Sequence, residues 1–237
     1  GPALGTSVEN TLVGSQVGGG SGGSGLGDYN TAIGSGALKA TNSSAGSNTA
    51  VGRQAAATLV NGDQVVCVGT GADVTGTNAQ NQIAIGYGVV ALADHQVRIG
   101  NASITTSHVQ VDWTIDSDSR IKDNIQPSAL GLDFVNALRP VSFTKVHPAD
   151  WPDEIKEPRF LGDEPEDRGE FDTSAVHHGL IAQELEAAID ASSEKFSGHN
   201  VEPNGRQGIQ YATLVVPLIK AVQELTARIE ELENDGD

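Results

Sequence analysis

The sequence predicts a mainly β N-terminal half, built as a parallel β-roll or β-solenoid shared between chains, followed by an α+β domain that ends in a long coiled-coil-like helix. Three observations carry this prediction. A short strand closed by glycine recurs six times in the first half, and acidic charge concentrates in the second half. Near the C-terminus, apolar residues alternate spacings of four and three.

With 237 residues and a net charge of -17, the chain has room for two modest domains. Residues 1–116 hold 7 Asp/Glu and 3 Lys/Arg, a net of -4, whereas residues 117–237 hold 24 and 11, a net of -13. A surface this acidic repels phosphates and anionic lipids, so neither nucleic acid nor a membrane is an expected partner. The sequence shows no long apolar run and no basic-plus-apolar leader, so no membrane span or signal peptide is expected. Residues 1–7 read as a linker, with Gly1-Pro2 a tag remnant. The single cysteine, Cys67, cannot pair within the chain and reads as a packed thiol in the run Val65-Val66-Cys67-Val68.

The repeat aligns on one glycine. Asn10-Thr11-Leu12-Val13-Gly14, Asn30-Thr31-Ala32-Ile33-Gly34 and Asn48-Thr49-Ala50-Val51-Gly52 are followed by Gln64 to Gly69, Asn81 to Gly86 and Gln96 to Gly100. The glycines lie 20, 18, 17, 17 and 14 positions apart. Such a period fits one solenoid rung of strand and turn. Each rung offers only one or two Val or Ile to a core, too little to offset the ordering entropy of a single chain, so several chains are expected to share it. Gly18 to Gly25 reads as a flexible loop between the first two rungs. It is not a phosphate loop, because no Gly-Lys-Ser/Thr follows.

The Asn-Thr-Ala-Ile-Gly and Asn-Thr-Ala-Val-Gly units resemble the head repeats of trimeric autotransporter adhesins, which also occur in phage fibres. That resemblance covers about residues 8–102 and implies a trimeric left-handed β-roll. Residues 103–116 read as a connector.

Residues 117–237 carry a second signature. Ser117-Asp118-Ser119-Arg120-Ile121-Lys122-Asp123-Asn124-Ile125 matches the opening Ser-Asp-x-Arg-x-Lys-x-Asn-Ile of the intramolecular chaperone of endosialidases, which is also classed as a peptidase family. Three further landmarks follow in that family's order. Leu132 to Phe143 resembles its first helix and following strand, His178 to Leu185 its Gly-Leu/Phe-Ile-Ala-Gln-Glu helix start, and Tyr211 to Leu225 its closing helix.

A serine hydroxyl is a weak nucleophile without a nearby base, and lysine serves only when burial or a like charge lowers its pKa. Ser117 and Lys122, five residues apart, can meet across a turn. The resemblance implies that they are the catalytic pair of a single-turnover endopeptidase acting on itself, and that the scissile bond is Asp116–Ser117. Asp118 and Asn124 are candidates to orient Lys122 or stabilise an oxyanion. Arg120, His178, Gln183 and Glu184 are further supporting candidates from the motifs. From spacing alone, Asp118 or Ser119 reads as the cap of a short helix, a role compatible with presenting Ser117. His177-His178 has no companions at ligand spacing, so neither metal nor cofactor is expected.

Residues 150–172 hold 10 acids and 3 bases with three prolines between them, and read either as a solvated loop or as an arm that clasps the stalk or a neighbouring subunit. Leu218, Val222, Leu225, Ile229 and Leu232 form an a/d stripe within a helix over about 211–234, which suits a dimer, a trimer or a surface helix packed on its own domain. The β-roll resemblance favours three chains.

Together these readings describe the C-terminal part of a phage tail fibre or tailspike, folded in the host cytoplasm, with its chaperone domain released after cleavage. A homotrimer is the expected assembly, and host-surface polysaccharide or another receptor is the expected target of the mature fibre. The alternative is a trimeric bacterial surface adhesin stalk with a non-cleaving trimerisation domain. It would call for a membrane-anchoring β-barrel, whereas the chain ends in Glu233-Asn234-Asp235-Gly236-Asp237. A carbohydrate-degrading enzyme fits least, since residues 1–116 show no convincing paired acids or aromatic sugar platform.

Overall fold

The computed structural model describes residues 9–19, 26–161 and 168–236. The glycine-rich stretch 20–25 therefore lies outside the described residues, as do 162–167 and the Gly1-Pro2 terminus. The chain divides into two compact units, residues 1–107 with 147–171, and residues 108–146 with 172–237.

The first unit is a β-solenoid. Its strands β1 (Thr11–Val13), β2 (Thr31–Ile33), β3 (Thr49–Val51), β4 (Val66–Val68), β6 (Ile83–Ile85) and β8 (Val97–Ile99) form one parallel sheet in that order. The register is uninterrupted, with Thr11, Thr31, Thr49, Val66, Ile83 and Val97 in one column. Two shorter strands, β5 (Asp73–Val74) and β7 (Val90–Ala91), pair in parallel elsewhere on the rungs.

Each strand is entered through a left-handed corner, at Glu9, Tyr29, Ser47, Gln64, Asn81 and His95, with φ between 48° and 61°. It is left through the glycine that marks the repeat. Gly34, Gly52 and Gly69 have φ of 127°, 137° and 132°. A Cβ on any of these three would lie 2.4–2.5 Å from the carbonyl oxygen of the glycine in the next rung. Both the backbone angle and the rung spacing therefore require glycine.

The asparagines of the repeat bridge rungs. The Asn30 carboxamide oxygen accepts from the Asn48 backbone N–H at 3.0 Å, and that of Asn48 accepts from Val65 N–H at 3.0 Å. Their amide nitrogens donate to the carbonyls of Ala45 and Gly62. Both side chains are fully buried, so this ladder satisfies backbone groups that would otherwise carry a desolvation cost.

One expectation is corrected by the packing. The strand positions that face the solenoid interior are Ala32, Ala50, Cys67 and Ala84, in a core completed by Leu38, Leu59, Val65 and Val89. The neighbouring Ile33, Val68, Ile85 and Ile99 stand exposed on the outer face. Strand side chains alternate faces, and at the strand positions the interior takes Ala and Cys while the larger core residues enter from outside the six-stranded sheet. The chain thus closes a core of its own and turns its β-branched column outward. Arg98 takes the interior register position in the last rung, where a solenoid needs a polar ending.

The described residues of the 147–161 stretch complete the solenoid's C-terminal end. The Glu157 carboxylate accepts from the Ala102 backbone N–H at 2.7 Å and pairs with Arg159 at 2.9 Å. The Arg159 guanidinium also donates to Ser103 Oγ at 2.8 Å and lies 4.2 Å from the centre of the Phe160 ring. The ion pair is nearly buried, at 11% and 12% side-chain exposure, yet each member has further partners. His147 packs edge-on against Phe160 and Phe171. The described part of the acidic segment is therefore an arm seated on the last rung of its own chain.

The second unit is α+β. Helix α1 (Leu132–Ala137) leads to β9 (Val141–Thr144), which pairs antiparallel with β10 (Val176–Gly179). Helix α2 (Ala182–Ser192) follows, then the antiparallel pair β11 (His199–Val201) and β12 (Gln207–Ile209). A 3-10 turn at Tyr211–Leu214 runs into helix α3 (Val215–Asn234), which has 20 residues. Pro217 sits in the first turn of α3, where a missing N–H costs nothing. Leu130, Phe134, Leu185, Ala188 and Leu214 form the core of this unit.

Gly52→Ala should destabilise the protein by about 3 kcal/mol or more, adding backbone strain to overlap with the next rung. Gln54, at a corner with φ of 57°, should accept glycine with a change within about 1 kcal/mol. Thermal unfolding of the two variants checks this pair. Burial pushes the Cys67 thiol up from 9.0 to about 12, with nearby Asp73 adding to the rise. Its contribution to stability is therefore full below the ordinary thiol value and is lost as pH climbs towards about 12. Denaturant unfolding across that alkaline range should show wild type losing stability that Cys67→Ala does not lose.

Candidate active site

Residues 117–125 lie in the second unit and form an exposed turn. Asp118 caps the 3-10 turn Ser119–Ile121, its carboxylate accepting from the Arg120 backbone N–H at 2.9 Å. The same carboxylate takes the Arg120 guanidinium in a forked pair at 3.0 and 2.6 Å. These bonds, the side-chain one first, hold the Asp118 carboxyl below the usual carboxylate range. Lys122 closes the turn by donating its backbone N–H to Ser119 O at 3.2 Å.

The turn brings the two key side chains together. Lys122 Nζ donates to Ser117 Oγ at 2.6 Å. The five-residue spacing works because the 3-10 turn reverses the chain between them. Asn124 adopts a left-handed φ of 51° just beyond, its backbone N–H held by Asp123 at 2.8 Å. Ser117, Lys122 and every residue from 108 to 129 are exposed. Among the described residues, nothing covers the pair.

The other candidates sit on other elements. His178 is exposed on β10, opposite Ser142, and lines a cleft of about 510 Å3 with Val141, Leu180 and Tyr211. Gln183 is exposed at the start of α2, and Glu184 forms an ion pair with Arg139. Among the described residues, no hydrogen bond or ion pair joins His178, Gln183 or Glu184 to Ser117 or Lys122 within one chain.

The later motifs instead explain how the unit is braced. The Leu180 backbone N–H donates to the Tyr211 hydroxyl at 2.9 Å. A Cβ at Gly179 would lie 2.4 Å from that hydroxyl, so the Gly-Leu-Ile-Ala-Gln segment needs its glycine where the closing element reaches back to it. Gly131 serves α3 in the same way. The Leu132 N–H, at the open end of α1, donates to the Glu224 carboxylate at 2.7 Å, and a side chain at position 131 would collide with that carboxylate. This cap from 92 residues away had no local signal in the sequence. Pro217 and Ala221 face the unit's own core, whereas Leu218, Val222, Leu225, Ile229 and Leu232 are all exposed. The a/d stripe is therefore a face of α3 that the chain itself leaves uncovered.

Residues 117–193 match a family model described as the chaperone of endosialidase, a family of self-cleaving peptidases. The match begins at Ser117. No curated protein and no solved structure matches the chain significantly.

The hydrogen bond from Leu132 N–H, followed by the neighbouring Lys220, holds the Glu224 carboxyl below its ordinary 4.5. A depressed carboxyl stabilises the fold above that ordinary value and ceases to do so as pH falls through its folded value. The stability gap between wild type and Glu224→Gln should therefore be widest near neutrality and close on acidification, as read by circular dichroism during acid unfolding.

Proposed function

From the match of residues 117–193 to the endosialidase chaperone, we propose that this chain is the C-terminal part of a phage tail fibre or tailspike. On this reading the solenoid is a segment of the fibre stalk. The second unit is an intramolecular chaperone that gathers three chains and then cuts the Asp116–Ser117 bond. The observation that carries the proposal is the 2.6 Å approach of Lys122 Nζ to Ser117 Oγ at the first residue of the matched segment.

The chemistry follows from those two groups. With its amine neutral, Lys122 accepts the Ser117 hydroxyl proton while Oγ attacks the Asp116 carbonyl carbon. The tetrahedral intermediate collapses by breaking the bond to the Ser117 nitrogen, which takes a proton back from the Lys122 ammonium. This leaves an Asp116–Ser117 ester and a free α-amine. Water hydrolyses the ester, releasing a fragment that ends at Asp116 and one that begins at Ser117. Each molecule reacts once. Asp118 and Arg120 hold the turn that sets the Ser117–Lys122 distance.

A lysine base works best when desolvation favours its neutral form. In one chain the pair stands in water, so that desolvation has to come from neighbouring copies. This ties the cut to assembly. Cleavage before trimerisation would be slow, and cleavage after it would remove the element that nucleated the stalk, leaving the fibre held by its unfolding barrier. The mature fibre then belongs to the virion, where the stalk leads towards a host-surface polysaccharide or another receptor. The released chaperone stays behind in the host cytoplasm.

Intact-mass spectrometry of wild type beside Ser117→Ala tests the reading. Wild type should split between Asp116 and Ser117, and the variant should stay whole. Lys122→Ala should also stay whole, or be cut at least about 100-fold more slowly, the scale at which positioned acid–base groups act. If wild type remains intact, the domain is a trimerisation cap and the cleavage mechanism is wrong.

A further inference from the structure

Between the stalk and the scissile bond runs a segment whose pattern the single chain does not use. Residues 109–115 read Val-Gln-Val-Asp-Trp-Thr-Ile, with Val109, Val111, Trp113 and Ile115 at the period of two that an extended strand would place on one side. Gln110, Asp112 and Thr114 would then fall on the other side. The four apolar side chains are 56%, 78%, 75% and 79% exposed. Among the described residues, the backbone of 109–115 forms no hydrogen bond to any strand. The Trp113 N–H is taken by the Asp112 carboxylate at 2.8 Å, so what the run leaves unpaired is its row of apolar side chains, the kind of surface that a partner chain covers.

We propose that the partner is the same segment of two further copies of this chain, the three apolar faces meeting to form a collar immediately ahead of Asp116–Ser117. The inference rests on the trimer reading above and names the residues that make it. Area favours this occupant. Taken with the uncovered stripe of α3, the four side chains expose roughly 1,000 Å2 per chain, above the about 800 Å2 per partner of a standard stable interface. Charge favours it too. No Lys or Arg lies between Arg98 and Arg120, so the polar side is acidic through Asp112 and Asp116. A shared apolar centre turns those acids outward and apart. A one-sided strand is also self-complementary, so the collar needs no other sequence. Ile115 is its last anchor, and chains in equal register present three equivalent scissile bonds one residue beyond it.

The test uses the full chain carrying Ser117→Ala, which on the proposed mechanism stays uncut. Cysteines are introduced singly at Val111 and Ile115 on the apolar side, and at Gln110 and Thr114 on the polar side. Each variant is oxidised under native conditions and its mass in solution is measured by light scattering. Val111→Cys and Ile115→Cys should give a two-chain band on non-reducing gels. Gln110→Cys and Thr114→Cys should not, and the parent, whose Cys67 is buried, gives the background. A trimer by mass with no difference between the two sides overturns the collar and leaves the trimer reading standing, whereas a monomer overturns both. Trp113 offers an independent readout that adds no cysteine to the core. With Trp151→Phe, the remaining tryptophan in the trimer should emit at a buried wavelength and resist acrylamide, and solvent-exposed emission would overturn the collar.

Discussion

The middle rungs of the solenoid depend on one steric constraint, the passage of a closing glycine against the carbonyl of the next rung. Where Gly34, Gly52 and Gly69 leave their strands there is no room for a Cβ and no L-residue conformation without strain. Because that corner repeats in register, the strands stack in register as well, and the Asn30 and Asn48 side chains can reach from rung to rung. At the strand positions alanine and cysteine face inward and the neighbouring Val and Ile are turned out, while Leu38, Leu59, Val65 and Val89 fill the core from beside that sheet.

The second unit reaches the same outcome by other means. Its core is small, and two reciprocal contacts brace it, Glu224 on the α1 terminus and Tyr211 on the Leu180 N–H. Both need a glycine at the point of approach. Once α3 has spent Pro217 and Ala221 on its own domain, its heptad stripe remains uncovered. Among the described residues, the outer strand column, residues 109–115 and the stripe of α3 are apolar surfaces that the chain leaves exposed. Were such surfaces covered by further copies, stability would depend on chain concentration, because folding and association would share one free energy.

Ser117 and Lys122 are brought together by a local turn within one chain, so the geometry needs no partner. The environment that would make a lysine a base is not present in one chain. On the reading proposed above, that separation of geometry from environment would couple one irreversible cut to assembly. The Glu157–Arg159 arm lies beyond Ser117 in sequence yet closes the last rung of the solenoid.

The local features were legible in the residues. The six strands, their glycine corners, the cap at Asp118, the reach of Lys122 to Ser117 and the heptads of α3 all rest on short-range pattern, and short-range sterics and hydrogen bonding decide such features. What tertiary structure alone decided lies at longer range. The packed thiol at Cys67 was legible, but the sequence could not say that Ala32 and Ala84, rather than Ile33 and Ile85, would face inward, because alternation fixes that residues switch sides but not which side closes on itself. Nor could it place Glu157 on Ala102 or Glu224 on Leu132, contacts spanning 55 and 92 residues. His178, Gln183 and Glu184 share a motif region with the reactive pair yet stand apart from it in one chain. Proximity of that kind is settled by how the elements pack and by which chains pack together, and spacing along a single sequence does not encode it.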